Sequence, residues 1–264
     1  MTKASESDPP YLLGTQFRYD DFARPNKFPF NLPWLENFEL TFDSPVTFFV
    51  GENGSGKSTL MEALAVLSRL PVSGGGTQDA TSVFGPEKTS ELAQELSPVF
   101  KRRPRDGYFF RAEYYAQYAS LLDQRRDDPD FRRDPYKSYG GKSLHTRSHG
   151  ESFLELMQNR FGEGLFFLDE PESALSPQRQ LTLLAMIADR IKGGKSQFII
   201  ATHSPILLTF PGATILNFDE APLIPISIEE TMHFQITQGI LNHPERYWKH
   251  LVQTAEIQEC DKKD

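Results

Sequence analysis

Continuous apolar runs alternate with segments whose apolar residues recur at helical spacing. Apolar runs typical of strands buried on both faces lie at 46–50, 165–168 and 197–201, and the segment 107–113 is predicted to be a further core strand. Helical spacing, supported by capping residues before the last segment, is found at 58–67, 151–160 and 177–192. This alternation predicts an α/β fold with a mostly parallel sheet and helices on both faces.

Four other segments depart from this pattern within what we expect to be one domain, 1–264. They are a polar tail at 1–10, an aromatic-rich antiparallel β region at 11–50, a variable helical insertion or arm at 77–147 and a helical extension at 221–264. The arm is rich in Arg, Asp and Tyr beyond residue 114. This composition is typical of a solvated surface, with a partner or nucleic-acid contact as the alternative.

A glycine-rich loop joins the first apolar run to the first helix. Residues 51–58, here called the phosphate loop, fit the pattern G-x-x-x-x-G-K-[ST]. Its glycines let backbone N–H groups turn toward anionic oxygens, and the following helix adds the positive end of its dipole. The candidate nucleotide-binding residues are Gly51, Asn53, Gly54, Ser55, Gly56, Lys57, Ser58 and Thr59. Lys57 would reach the β- and γ-phosphates, and Ser58 would ligate Mg²⁺.

Composition limits which cellular compartment and which kinds of binding partner we expect for the chain. The net charge of −8 does not favour nucleic-acid binding, although the basic run 101–105 leaves a local patch open. The single cysteine, Cys260, excludes an intrachain disulfide. No apolar run is long enough for a membrane span, and the polar N-terminus does not resemble a signal peptide. We therefore expect a cytoplasmic protein without a membrane span.

Two further apolar runs end in residues that suit phosphate chemistry. Asp169 and Glu170 follow the run at 165–168, where Asp169 can hold Mg²⁺ and Glu170 can polarise an attacking water. His203 follows the next run and is expected to point toward the γ-phosphate. The histidines outside this context, which we interpret as surface or packing residues, are His145, His233, His243 and His250.

At this point the sequence resembles a known family. Residues 168–176 closely resemble the Walker B motif and D-loop of ABC-type ATPases, and His203 resembles their H-loop histidine. Residues 148–151, here called the signature segment, resemble the ABC signature, with Arg147 and His149 departing from its usual form. The phosphate loop looks more like that of the SMC and RecF-like branch, and of small stand-alone predicted ATPases of the AAA type, than like that of transporter subunits.

The resemblance implies Mg²⁺-dependent ATP hydrolysis with Lys57, Glu170 and His203 as catalytic residues. It implies that Ser58 and Asp169 hold the metal, that Glu113 or Gln117 assists them, and that Phe28 or Phe30 stacks on adenine. It also implies a head-to-tail homodimer, in which residues of one signature segment, Ser148, Gly150 and Glu151, close over ATP bound by the other chain. Three roles stay open: a DNA-related or defence ATPase, a switch that gates an effector such as a nuclease, and a transporter subunit.

Overall fold

The computed structural model describes residues 9–19, 25–77, 89–131, 134–137, 141, 149–249 and 251–252. The strands within these ranges are β1 (Leu12–Phe17), β2 (Glu39–Thr41), β3 (Val46–Val50), β4 (Gly75–Gly76), β5 (Leu96–Phe100), β6 (Gly107–Arg111), β7 (Gly164–Asp169), β8 (Ser196–Ala201), β9 (Thr214–Asn217) and β10 (Pro225–Ile226). The helices are α1 (Lys57–Leu67), α2 (Glu91–Glu95), α3 (Tyr115–Asp127), α4 (His149–Arg160), α5 (Pro177–Ile191), α6 (Pro205–Leu208) and α7 (Met232–Asn242).

A seven-stranded sheet with the order β10-β9-β3-β8-β7-β6-β4 forms the centre of the fold. The five inner strands pair in parallel, whereas β4 and β10 pair antiparallel at the two edges. The predicted α/β fold with a mostly parallel sheet is confirmed. Because the inner strands are parallel, the loops that follow them emerge at one edge of the sheet, the carboxyl edge.

A three-stranded antiparallel sheet, β2-β1-β5, forms the expected N-terminal β region. Its strand β5 was not among our predictions, since the apolar run is short and contains Pro98, which pairs opposite Thr15. This strand lies inside the segment that we predicted to be a variable insertion. Part of that segment therefore completes the antiparallel sheet.

Helices cover both faces of the large sheet, so that side chains alternating along β3 enter two hydrophobic clusters. Phe48 packs in one cluster with residues of α3, α4 and α5, while Phe49 packs in the other with α1 and the antiparallel sheet. Tyr118 and Leu122 of α3 are buried in the first cluster. Thus α3 contributes to the core, although it lies in the predicted arm. No helix in the described ranges is both long and apolar enough to cross a bilayer.

Candidate functional site

Three neighbouring parallel strands bring the sequence-predicted residues to the carboxyl edge. The phosphate loop follows β3, Asp169 ends β7, and His203 comes two residues after β8. Strand β8 lies between β3 and β7, with Phe49 opposite Ala201 and Ala201 opposite Asp169. The register therefore gathers residues that are more than 100 positions apart in the chain.

The phosphate loop is shaped by glycines in left-handed backbone conformations. Gly54 has φ 84° and Gly56 has φ 96°, values that residues with a Cβ rarely adopt. A Cβ on Gly56 would also lie 2.8 Å from the Leu32 side chain. Buried Trp34 contacts the loop directly, since its Nε1 donates to the Ser55 carbonyl oxygen at 2.7 Å. The Ser55 Oγ is buried with no hydrogen-bond partner among the described residues.

Lys57, the first residue of α1, lies folded back across this loop. Its Nζ donates to the carbonyl oxygens of Gly51 at 2.6 Å and Glu52 at 2.9 Å. Burial lowers the pKa of Lys57, and the nearby carboxylates act in the opposite direction. These carboxylates belong to Glu170, Asp169, Asp219 and Glu52. The buried ammonium and the unpartnered Ser55 hydroxyl suit a bound phosphate group.

The first residues of α1 also meet the end of β7. The Ser58 hydroxyl donates to Asp169 Oδ1 at 3.1 Å, a contact that joins the phosphate loop to the predicted metal-binding carboxylate. Hydroxyl and carboxylate oxygens side by side are ligands that Mg²⁺ prefers. The donor set therefore fits the magnesium site that the sequence predicts.

The position of Asp169 disfavours the charged form of its carboxyl group, because the side chain is buried. Burial raises the pKa of Asp169 to about 6, although the Arg111 guanidinium and the Ser58 hydrogen bond oppose the shift. Arg111 ends β6, where it pairs in register with Asp169, and its Nε lies 3.7 Å from Asp169 Oδ2. Its Nη1 also lies 2.9 Å from Glu62 Oε1 of α1. Arg111 thus ties the strand end to the helix of the phosphate loop.

Glu170 leaves β7 in a left-handed conformation, with φ 51°. This conformation is uncommon for a residue with a side chain and is often found at functional sites. Its Oε1 lies 3.6 Å from His203 Nε2. Two of the three predicted catalytic residues, Glu170 and His203, therefore face each other at the carboxyl edge.

His203 is fixed from two sides. Its backbone N–H donates to Glu172 Oε1 at 2.6 Å, and its ring Nδ1 lies 2.8 Å from Nε2 of His233 in α7. Burial lowers the pKa of His203, with Lys57 and His233 adding to the effect and Glu170 opposing it. From the sequence we interpreted His233 as a surface or packing residue, but the fold places it beside His203, with the two ring nitrogens in hydrogen-bonding distance.

The signature segment is only partly described. Ser148 lies outside the described residues, and α4 begins at His149, so that Gly150 and Glu151 lie in its first turn. Glu151 Oε1 pairs with Arg179 Nη2 of α5 at 3.2 Å. The helix starts two residues earlier than the segment 151–160 predicted from the sequence.

The remaining candidates differ in exposure. The Glu113 side chain is 70% exposed, with its Oε2 3.6 Å from Arg111 Nη2, and Gln117 is exposed on α3. Phe30 is buried in a hydrophobic cluster, whereas Phe28 is 62% exposed. The assisting metal ligand and the adenine-stacking residue remain predictions.

Three residues of this edge were missed in the sequence, namely Arg111, His233 and Asp219. The Asp219 carboxylate accepts from the backbone N–H of Glu52 at 2.7 Å and so holds the start of the phosphate loop. Asp219 follows β9. Its place after a short apolar run was the one feature of the sequence that could have predicted its position at the carboxyl edge. Arg111 ends an apolar run in the same way.

Comparisons with known proteins agree with this geometry. Residues 28–85, which contain the phosphate loop, match a family model described as AAA domain. Residues 144–209, which contain Asp169, Glu170 and His203, match one described as "AAA domain, putative AbiEii toxin, Type IV TA system". Each model covers less than half of the chain, so these matches show that the two segments are similar to AAA domains.

Curated relatives and solved structures include ABC-type proteins. Translation initiation factor RLI1 of Chaetomium thermophilum is 23% identical over 79% of this chain and 33% of its own length. A "Putative ABC transporter ATP-binding protein" of Sulfurisphaera tokodaii is 24% identical over 74% of this chain and 41% of its own length. The chain therefore spans well under half of these two relatives.

A solved structure entitled as the ADP conformation of MJ1267, an ATP-binding cassette of an ABC transporter, covers 89% of this chain and 96% of its own. Its TM-score is 0.48 at 14% identity. Because the relative from Sulfurisphaera tokodaii is described as a putative transporter ATP-binding protein, the non-transporter branch suggested by the sequence is not confirmed.

Proposed function

We propose that this protein binds ATP with Mg²⁺ at the carboxyl edge and hydrolyses it to ADP and phosphate. The contact that carries the proposal joins the Ser58 hydroxyl to Asp169, 111 residues away, at 3.1 Å. Buried Lys57 lies near enough to Glu170 and His203 to interact with both electrostatically, and these two residues face each other. Phosphoryl transfer needs positioning and charge neutralisation more than covalent chemistry, and this set of residues supplies both.

Each residue has a role that follows from its place. Lys57 and the loop amides bind the β- and γ-phosphates and neutralise their charge, and Glu170 orients the attacking water. His203 donates to a γ-phosphate oxygen. Ser58 and Asp169 would hold Mg²⁺, which would supply positive charge to offset the negative charge of the phosphates.

We further propose that two copies close head to tail over ATP. The support is the resemblance of the signature segment to the ABC signature, together with the position of Gly150 and Glu151 in the first turn of α4, a helix of 12 residues. Backbone N–H groups of a helix N-terminus favour a phosphate. Hydrolysis would then release the dimer.

Phosphate release tests the proposed activity. We expect the wild-type chain to release phosphate from ATP with Mg²⁺ but not with EDTA. We expect Glu170→Gln to lower kcat at least about 100-fold while retaining ATP binding, because it keeps the shape of the side chain but removes the carboxylate that acts on water. The matched control is Glu163→Gln, whose side chain is 66% exposed. Hydrolysis by Glu170→Gln at the wild-type rate would refute the assignment.

The description of the second matching family, which names a putative toxin, favours a defence-related role. The basic run beside β5 offers a nucleic-acid alternative, because Arg102 and Arg103 stack on Tyr11 and Phe100 at 5.1 and 4.6 Å. Stimulation of phosphate release by DNA would favour this alternative.

The transporter relative from Sulfurisphaera tokodaii favours a second candidate function, an ATP-binding subunit of a transporter. Co-purification with a membrane protein would favour that function over the defence-related one.

A further inference from the structure

A pair of imidazoles connects α7 to the phosphate end of the site. His203 Nδ1 and His233 Nε2 are 2.8 Å apart, with ring centroids separated by 4.9 Å. Ring nitrogens at this distance form a hydrogen bond only when one carries a proton and the other offers a lone pair. The contact is therefore a single N–H···N bond with a definite direction.

The direction of this bond decides what His203 can do. If neutral His203 donates from Nδ1, its Nε2 has no proton and cannot donate to a phosphate oxygen. If His233 donates from Nε2, neutral His203 carries its proton on Nε2, the atom 3.6 Å from Glu170 Oε1. Between these two arrangements, only the second lets neutral His203 donate a hydrogen bond into the site.

The neutral form of His203 is the relevant one. Burial lowers the pKa of its imidazole, and the Lys57 ammonium and His233 act in the same direction. The Glu170 and Glu52 carboxylates oppose this shift as smaller effects.

The first turn of α7 is built to hold His233 in place. Thr231, the residue before the helix, is only 2% exposed and its Oγ1 accepts from the Phe234 backbone N–H at 3.3 Å. The same hydroxyl donates to the Ile228 carbonyl oxygen at 2.7 Å. None of the 11 residues of α7 is buried, so the helix is anchored mainly at this end.

Resting on the ATPase function proposed above, we propose that His233 is a positioning residue for His203. Its Nε2–H donates to His203 Nδ1 and so fixes the tautomer in which His203 Nε2 carries the proton toward the phosphate end of the site.

The tautomer can be measured in the nucleotide-free protein by nitrogen-15 NMR of the histidine rings. The His203 signals are those lost in His203→Gln. We expect His203 of the wild-type chain to be protonated on Nε2 and His233→Phe to lose this preference. An Nδ1-protonated His203 in the wild-type chain, or an unchanged tautomer in His233→Phe, would overturn the proposal.

Kinetics give the second readout. We expect His233→Phe to lower kcat about 10- to 100-fold with less than a roughly threefold change in KM for ATP. His233→Gln can donate from its side-chain amide, so it should keep kcat within roughly threefold and retain the Nε2-protonated tautomer. Equal losses in both variants, or no loss in His233→Phe, would contradict the proposal. If His233→Phe does not fold, His233→Gln decides through its tautomer and its kcat.

His243→Phe is the matched control. This residue follows the end of α7, with a side chain 54% exposed and its Nδ1 3.8 Å from Glu245, and its substitution should change neither readout. Because the NMR measurement needs no nucleotide, it remains valid if the chain does not hydrolyse ATP. Failure of the proposed function and failure of the His233 proposal are therefore distinguishable.

Discussion

The nucleotide site has two candidate halves, the phosphate half and the signature half. They differ in how fully the described part of a single chain accounts for them. The phosphate half is connected by contacts of 2.6 to 3.6 Å among Lys57, the loop, Ser58, Asp169, Glu170 and His203. The signature half consists of Ser148, which lies outside the described residues, and the first turn of α4, where Glu151 pairs with Arg179. One chain is therefore sufficient to test phosphate binding, whereas a test of the signature half needs the second copy that we propose.

Removing Lys57 tests the phosphate half alone and has the largest expected effect. We expect Lys57→Ala to weaken ATP binding at least about 100-fold, because the ammonium held at the Gly51 and Glu52 carbonyls would otherwise pair with phosphate. Calorimetric titration with Mg²⁺ and ATP measures this loss. Lys192→Ala, at a side chain 75% exposed, is the control. Normal affinity in Lys57→Ala would remove the basis of the assignment.

A bulky charge in the signature segment affects the other half. We expect Ser148→Arg to lower the fraction of ATP-dependent dimer at least about 10-fold and to leave ATP binding by the single chain intact. Size-exclusion chromatography with ATP, in the Glu170→Gln background, measures the dimer. Gln158→Arg, at an exposed position of α4, should dimerise normally. An unaffected dimer in Ser148→Arg would count against the signature interpretation.

Burial of the Asp169 carboxylate gives a smaller effect, which is on the free energy of unfolding. Its folded-state pKa of about 6 lies above the ordinary value of 3.8, so the folded state holds the proton more tightly and loses stability as pH rises from about 4 to 6. Asp169→Asn removes this cost. We expect it to be more stable than the wild-type chain by about 1–3 kcal/mol at pH 7 and nearly equal at pH 4.

Urea unfolding in EDTA without nucleotide measures this difference at both pH values. Asp189→Asn, at a side chain 69% exposed, is the matched control. A wild-type chain that is more stable than Asp169→Asn at pH 7 would show that Arg111 and Ser58 outweigh the cost of burial.

The sequence predicted the site residues that lie at or just after the end of a predicted strand. The phosphate loop, Asp169, Glu170 and His203 each come directly after an apolar run, and the parallel sheet then brings the ends of these runs together. The order of the strands was not readable in the same way, because it depends on crossovers between distant segments.

Other features depend on tertiary contacts that no local pattern records. His233 becomes part of the site because the first turn of α7 returns to His203, which lies 30 residues earlier in the chain. Strand β5 was missed because it is short, contains Pro98 and gains its partner only from β1. The charged composition near α3 suggested a solvated arm, yet Tyr118 and Leu122 on one side of that helix are buried.

The central claim is that two copies of the chain form a dimer around ATP. The signature segment of one copy covers the ATP that the phosphate half of the other copy binds. Sedimentation velocity of Glu170→Gln, at ATP and Mg²⁺ concentrations that saturate binding, tests this claim most directly. The account predicts a dimer with ATP and a monomer with ADP or with EDTA. A Glu170→Gln chain that binds ATP yet remains monomeric would contradict it.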